Sequence, residues 1–397
     1  MTKAILDQVK INSVLKLFSD GQLQTALDLI DTFLEDYPNE SILFNIQGAC
    51  HAELGSFEIA VKSYEQAILI NSGYAKAYFN LAGTLHEMQD LDASVECYKQ
   101  ALKIEPKNEA VLNNLGNVYT DLDDHANAIE CFGKALEIKP DYVEALYSQG
   151  STFYDLGQLQ EAIKSYEKAL TINPEYANAH HDLGNALISI GQFKSGVKAL
   201  ERSIEINPDF AEAYYELAFH AENSGDLNEA KIHFQKATDV EQNFAEAYFN
   251  LARLSSSPSE YDLAERNFET ALEIKNEYDE CHYYFGKLLA KGERMSKDGT
   301  IILQPNPEEA TKHFQSAIRI NPKNFKSFYE LGILLANQKK FVESFEALQK
   351  AITINPNFAD GHYQLAVLLM NQSAQYALAK TKKSSAKTKV NKKTQKK

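Results

Sequence analysis

The segment from Asn113 to Pro140 reads NNLGNVYTDLDDHANAIECFGKALEIKP, and the segment from Tyr147 to Pro174 reads YSQGSTFYDLGQLQEAIKSYEKALTINP. They align without a gap, 34 residues apart, and a further copy ends at Pro208. A fixed period of this length marks an array of stacked supersecondary units, and it takes precedence over any element-by-element reading. With Glu109 as position 1, repeats begin at residues 7, 41, 75, 109, 143, 177, 211, 245 and 279, and a tenth begins at 325.

The column pattern has a physical reading. Position 8 is small (Gly48, Ala82, Gly116, Gly150, Gly184, Ala218, Ala252, Gly286) and position 20 is mostly alanine (Ala26, Ala60, Ala128, Ala162, Ala230, Ala264). Position 24 is large (Tyr64, Tyr98, Phe132, Tyr166, Leu200, Phe234, Phe268), and position 27 is again alanine. Positions 4, 7, 8 and 11 share one face of a first helix, A, and positions 20, 24 and 27 share one face of a second, B. Small residues let A and B approach, the large residue fills the remaining space, and proline at position 32 stops helix B. One hairpin cannot bury its own apolar face, so neighbours must stack.

This pattern resembles the tetratricopeptide repeat family over residues 7 to 356. The resemblance implies an all-α, right-handed α-solenoid of antiparallel helix pairs, about ten repeats long. The sequence departs from the family at position 4, where the family often has Trp and this chain has Phe44, Tyr78, His180 or His282. It departs at position 20 where Gly196 and Ser344 replace alanine, read here as local losses of packing. The expected organisation is a lead-in (1–6), the repeat array (7–358), a capping helix (359–378) and a disordered Lys-rich tail (379–397). The histidines at position 4, His180, His282 and His362, are expected to pack in the core.

Two stretches break the period. The interval from Gly286 to Ala310 is twelve residues too long. Helix A should end near Lys291, and helix B should restart with Asn306 as N-cap and Pro307 at its first position. Such insertions fall on loops, and the apolar run Ile301-Ile302-Leu303 offers a segment to tuck against the array or meet a partner. The second break, LSSSPSEYD (254–262), places Pro258 near the end of a helix A, which should be shortened.

Composition bounds the function. The chain has 397 residues, with 40 Lys+Arg against 55 Asp+Glu. Nine lysines and no acid lie in residues 380–397, so the remainder is strongly acidic. An acidic body does not suit nucleic acid or anionic membrane, and only the tail could serve either. The four cysteines form no CxxC or Cys/His cluster, so no metal is expected. No secretory leader or 18-residue apolar run is seen, which gives a cytoplasmic expectation. No phosphate-binding, zinc-protease or hydrolase motif occurs, and the repeats leave no room for a catalytic domain. The expectation is a non-enzyme without cofactor.

By the family resemblance, a ligand would lie on helix A, chiefly at positions 2, 5, 6, 9, 12 and 13. The candidate groove residues are Asn80, Asn113, Asn114, Asn117, Tyr147, Ser151, Tyr154, His181, Asn185, Tyr215, Phe249 and Asn250. Aromatic and amide groups of this kind stack on side chains and hydrogen-bond an extended peptide backbone. Position 13 carries Glu53, Glu87, Asp121 and Asp155, and position 2 carries Glu144, Glu212, Glu246 and Glu280. These acidic rims favour a basic or neutral polar peptide. No repeat has Lys at position 5, unlike the clamp of chaperone-tail-binding relatives. The partial column Asn80, Asn114, Asn250 is similar to the asparagine ladder of the O-linked N-acetylglucosamine transferase superhelix, with interruptions at Ser148, Asp182 and Glu216. The leading expectation is a protein-interaction scaffold. The alternatives are a substrate-recognition subunit for a transferase on another chain, and tethering through the basic tail.

Overall fold

The computed structural model describes residues 7–296 and 298–371. The lead-in, the Lys-rich tail and residues 372–378 of the capping segment lie outside the described residues. The chain divides into two compact units, residues 1–208 and 209–397.

Unit 1 holds six helix pairs. They are α1 (Gln8–Ser19) with α2 (Leu23–Asp36), α3 (Ser41–Glu53) with α4 (Phe57–Ile70), and α5 (Ala75–Glu87) with α6 (Leu91–Ile104). Then follow α7 (Glu109–Asp121) with α8 (His125–Ile138), α9 (Val143–Asp155) with α10 (Leu159–Ile172), and α11 (Ala177–Ser189) with α12 (Phe193–Ile206). Unit 2 holds α13 (Ala211–Asn223) with α14 (Leu227–Val240), and α15 (Ala245–Leu254) with α16 (Tyr261–Ile274). Its later pairs are α17 (Asp279–Lys291) with α18 (Pro307–Ile320), and α19 (Phe325–Asn337) with α20 (Phe341–Ile354). Residues 359–371 are helical as well. The architecture is an all-α solenoid of antiparallel helix pairs.

Local chemistry sets the pair boundaries. Asp90, Asp124 and Asp226 cap B helices, each accepting a hydrogen bond from the backbone N–H three residues on. Capping satisfies donors that the first turn leaves open. The A-to-B turn needs one left-handed residue, supplied by Gly157 or Gly225, and at φ 57–64° by Asp123, Gln89 or Lys339.

The core is the column pattern made solid. Ala26, Ala60, Ala128, Ala162, Ala230, Ala264 and Ala310 are all fully buried, as are Phe132, Leu200, Phe234, Phe268 and Phe314. A Cβ on Gly116 would stand 2.6 Å from the Phe132 ring, which is why position 8 stays small. The departures at position 20 are not losses of packing. Ser94 Oγ donates to the Ala82 carbonyl at 2.8 Å, and Ser344 Oγ donates to the Gly332 carbonyl at 2.7 Å. Each serine bonds the position-8 backbone of its own repeat, so close approach of A and B is kept and a buried carbonyl gains a donor.

The two breaks in the period turn out to be one assembly. α15 has 10 residues against 13 in α13 and α17. The insertion is a hairpin rather than a loop: β1 (Glu293–Met295) pairs antiparallel with β2 (Ile301–Leu303). Its first strand docks on the shortened repeat. Met295 N–H donates to the Pro258 carbonyl at 2.8 Å. The Arg294 guanidinium lies 4.0 Å from the Tyr261 ring centroid and pairs with Asp262 and Glu265. Because β1 makes these attachments, β2 is left outside, and Ile301 and Leu303 are 59% and 69% exposed instead of tucked in. Arg294→Ala is expected to speed amide exchange across 293–303 by about fivefold while leaving the α19–α20 amides unchanged, since one partly buried ion-pair and stacking group is worth about 1 kcal/mol.

The position-4 histidines are also not core residues. His180, His282 and His362 each bond through Nε2 to a backbone carbonyl six residues earlier, on Pro174, Asn276 and Pro356. His282 goes further: its Nδ1 lies 2.8 Å from Nδ1 of His313. With Nε2–H donated to Asn276, His282 Nδ1 must accept and His313 Nδ1 must donate. Burial, then the neighbouring imidazole of His282 and the Lys312 charge, push His313 down to about 4, and Glu309 alone works the other way. Burial likewise lowers His282, despite Asp279 nearby. The unfolded chain therefore binds more protons between pH 6.5 and 4, so stability falls as pH drops through that window. His313→Leu should flatten this dependence in urea unfolding at pH 7 and 4.5. An unchanged slope would show that the pair does not govern it.

Candidate functional site

The helix-A face has its own internal bonding. Position 5 of one repeat meets position 6 of the next. In unit 1, Asn80 Nδ2 donates to Asn45 Oδ1 at 3.0 Å, and Tyr147 Oη donates to Asp182 Oδ2 at 2.7 Å. In unit 2, Asn250 Nδ2 donates to Tyr215 Oη at 3.1 Å. These bonds tie successive A helices together, so part of the amide-rich column serves stacking.

The expected groove residues separate accordingly. Asn113, Phe249 and Asn250 are about 95% buried, at the seam between neighbouring A helices. Asn250 is occupied by Tyr215, the Glu246 carbonyl and Arg253. Phe249 packs on Tyr278, 4.9 Å between centroids. Tyr215, half-buried in the same unit, packs on Phe244 at 4.9 Å. The remaining eight, Asn80, Asn114, Asn117, Tyr147, Ser151, Tyr154, His181 and Asn185, are half-buried on unit 1.

Tyr147, His181 and Asn185 are drawn together by Asp182. Its second oxygen accepts from His181 Nδ1 at 2.8 Å, and Asn185 Nδ2 approaches His181 Nε2 at 3.2 Å. The carboxylate thus fixes the His181 tautomer, with Nδ1 protonated and Nε2 accepting. Burial, reinforced by Asp182, holds the Tyr147 hydroxyl far above its ordinary range.

One rung is missing. Asn113 Nδ2 donates to Asn114 at 3.3 Å, but Asn113 Oδ1 is buried and has no partner among the described residues. The position-6 residue of the next repeat is Ser148, too short to reach as Asn80 and Asn250 do. Ser148→Asn should close the rung and raise stability by about 1 kcal/mol, read from the unfolding midpoint. An unchanged midpoint would mean that solvent already satisfies the carbonyl.

An open cleft of about 650 Å³ lies on the same face of unit 1. Phe79, Tyr64 and Tyr98 line it with Ile46 and Phe18, and Asn45, Asn80, Thr84 and Asn114 add polar groups. Tyr64 and Tyr98 are almost wholly buried, so the aromatic wall is held in place by packing. Glu53, Glu87 and Lys76 bring charge to it, and Lys76 Nζ rests 4.4 Å from the Phe79 centroid. The cleft exists because position 9 is Ala49 and Gly83 in these two repeats, where later repeats carry Asn117 and Asn185. Sequence reading overlooked it because the signal is an absent side chain.

The acidic column has an unusual placement. Glu53, Glu87, Asp121 and Asp155 are the last residues of α3, α5, α7 and α9, and all are exposed. Among the described residues, only Asp121 of the four has a hydrogen-bonded side-chain partner, His86 of the preceding repeat. The corresponding ends in unit 2 are Asn223, Leu254 of the shortened α15, Lys291 and Asn337, none of them acidic. The rim at position 2 is weaker than expected there, because Glu246 is paired with Lys275 at 2.8 Å.

No helix among the described residues is long and apolar enough to cross a membrane. No curated protein sequence matches the chain significantly. Among solved structures, a MamA is 31% identical, with 42% of this chain and 97% of that one covered and a TM-score of 0.39. YrrB, described as a TPR protein with an unusual peptide-binding site, is 20% identical over 49% of this chain and 97% of its own, with a TM-score of 0.41. PilF of Pseudomonas aeruginosa is 17% identical over 52% and 95%, with a TM-score of 0.47. Family models described as TPR repeat match residues 84–123 and 150–191. Models described as tetratricopeptide repeat match 110–142, 177–210, 211–244, 245–278 and 304–359. Together these matches span more than half of the chain, which belongs to the tetratricopeptide repeat family.

Proposed function

We propose that this chain is a non-catalytic protein-interaction scaffold whose helix-A face on unit 1 binds an extended, basic or neutral polar segment of another protein. The observation that carries the reading is the run of carboxylates at four successive helix C-termini. A negative charge there opposes the helix dipole and costs about 0.3–1 kcal/mol each. Folding alone would select lysine, asparagine or glycine at such ends, and three of the four A helices of unit 2 end in asparagine or lysine. Sequences break local rules where function requires it. Along the same face, Tyr147, Tyr154, Asn117 and Asn185 provide stacking surface and amides for a peptide backbone.

Two capped 12-residue Gly/Ser peptides, one with four lysines and its twin with four glutamates, test the charge preference. At low salt the basic peptide is expected to bind the full chain about tenfold tighter or better, with the difference shrinking as salt screens the rim. Equal affinities would overturn the reading.

A further inference from the structure

We propose that the cleft at Ala49 and Gly83 is an anchor subsite for an aromatic or long aliphatic side chain adjacent to a lysine or arginine. The inference rests on the peptide-binding reading of unit 1 and names the residue pair that its ligand must contain.

The cleft is the place on this face where the repeat withholds side chains. Asn117 and Asn185 show that the column accepts asparagine, yet the second and third repeats have a methyl group and a hydrogen. The space that results is walled by rings rather than left polar: Phe79 and Tyr98 meet edge to face at 5.9 Å. Tyr64 and Tyr98 are almost wholly buried, so neither can swing across to fill the gap. A rigid aromatic wall beside an open volume of this size takes an apolar side chain of matching size.

The charge at the mouth selects the neighbour. Glu53 and Glu87 both line the cleft, and neither has an ion-pair partner among the described residues. The one cation present, Lys76, is engaged over the Phe79 ring. Net charge at the mouth is therefore negative. A peptide that buries an apolar group here brings its adjacent side chain to the Glu53 and Glu87 carboxylates, which favours lysine or arginine and repels aspartate or glutamate.

The fold tolerates the test substitution. A Cβ built on Gly83 meets only the Tyr98 hydroxyl, at the ordinary contact distance of 3.6 Å. Gly83→Ala should therefore leave the cleft largely open, while Gly83→Asn fills it with the side chain found at the same position in two sister repeats. Thermal denaturation of both variants verifies that they remain folded.

The experiment is selection of a random 12-residue display library on the full chain, followed by titration of synthetic copies of the selected peptides. The expected result is enrichment of an aromatic, Leu, Ile or Met residue next to Lys or Arg. Those peptides should lose about tenfold or more in affinity for Gly83→Asn, the value of one buried apolar side chain, and little for Gly83→Ala. Glu53→Gln with Glu87→Gln should erase the preference for the basic neighbour. Peptides that respond to Asn185→Ala or Ser151→Ala but not to Gly83→Asn would overturn the anchor and leave the wider groove reading standing. Failure to select any peptide, or selection of peptides indifferent to all these positions, would overturn both.

Discussion

A Gly196→Val chain is expected to be about 3 kcal/mol less stable than the wild type, from the cost of forcing extra methyl groups into a packed helix contact. Gly196→Ala should also destabilise, although alanine is what most sister repeats carry at this position. The reason is that α11 and α12 close on each other through two glycines. A Cβ on Gly196 would stand 2.6 Å from Ile188 Cγ1 and 2.8 Å from the Gly184 carbonyl oxygen. The isoleucine can rotate away, but the backbone oxygen cannot. Overpacking of this kind costs about 1–3 kcal/mol, against a gain of about 1 kcal/mol from replacing glycine inside a helix. The net loss is then up to about 2 kcal/mol. Gly133, in α8, is the control, since a Cβ there meets nothing within 4 Å. Gly133→Ala should add about 1 kcal/mol. Repeat arrays can open locally, so exchange of the α11 and α12 amides should accompany denaturant titration. A Gly196→Ala chain stabilised as much as the Gly133→Ala control would refute the close-approach account.

That pair shows where sequence reading succeeds and where it stops. The fold was legible because the period and the small/large columns are consequences of packing within one repeat, which is local in sequence. Gly116 under Phe132 and Ala128 at the A–B contact could be placed from spacing alone. At Gly196, and at Ser344 with its hydroxyl on the Gly332 carbonyl, the column also held, but the sign of the departure could not be read. Whether a non-alanine residue loses packing or serves the contact depends on tenths of an ångström between two backbones. The candidate site was legible as a helix face but not residue by residue. Position 5 lies at the seam between successive A helices, so Asn113 and Phe249 sink inward while His181 stays half-exposed, according to what the next repeat presents. The hairpin was the least legible, since Met295 bonds to Pro258, 37 positions earlier in the chain. Nothing in the 34-residue period encodes that contact.

Neutralising Glu53, Glu87, Asp121 and Asp155 together, as Gln, Gln, Asn and Asn, should move stability and binding in opposite directions. Each carboxylate ends a helix where the dipole is already negative, so the four changes should raise stability by about 1–2 kcal/mol in total. Asp121 contributes least to that gain, because its bond to His86 is weakened in exchange. Binding of a lysine-rich peptide should fall on the order of 100-fold at low salt, from about 0.5–1 kcal/mol per exposed charge contact. The salt dependence separates this from a general loss of fold. Wild-type affinity should drop steeply as ionic strength rises and the Debye length contracts to about 8 Å, while the neutral variant should be weak and nearly flat throughout. Tyr147, Asp182 and His181 do not touch these four positions in sequence, and their hydrogen-bonded network reports on the face independently: its amide and aromatic resonances should be unperturbed. A variant that loses stability would show that the carboxylates serve the fold. A variant that gains stability and keeps its affinity would place the binding surface elsewhere. Only the combination of a more stable chain and a weaker, salt-insensitive complex fits carboxylates held at unfavourable helix ends for the sake of a basic partner.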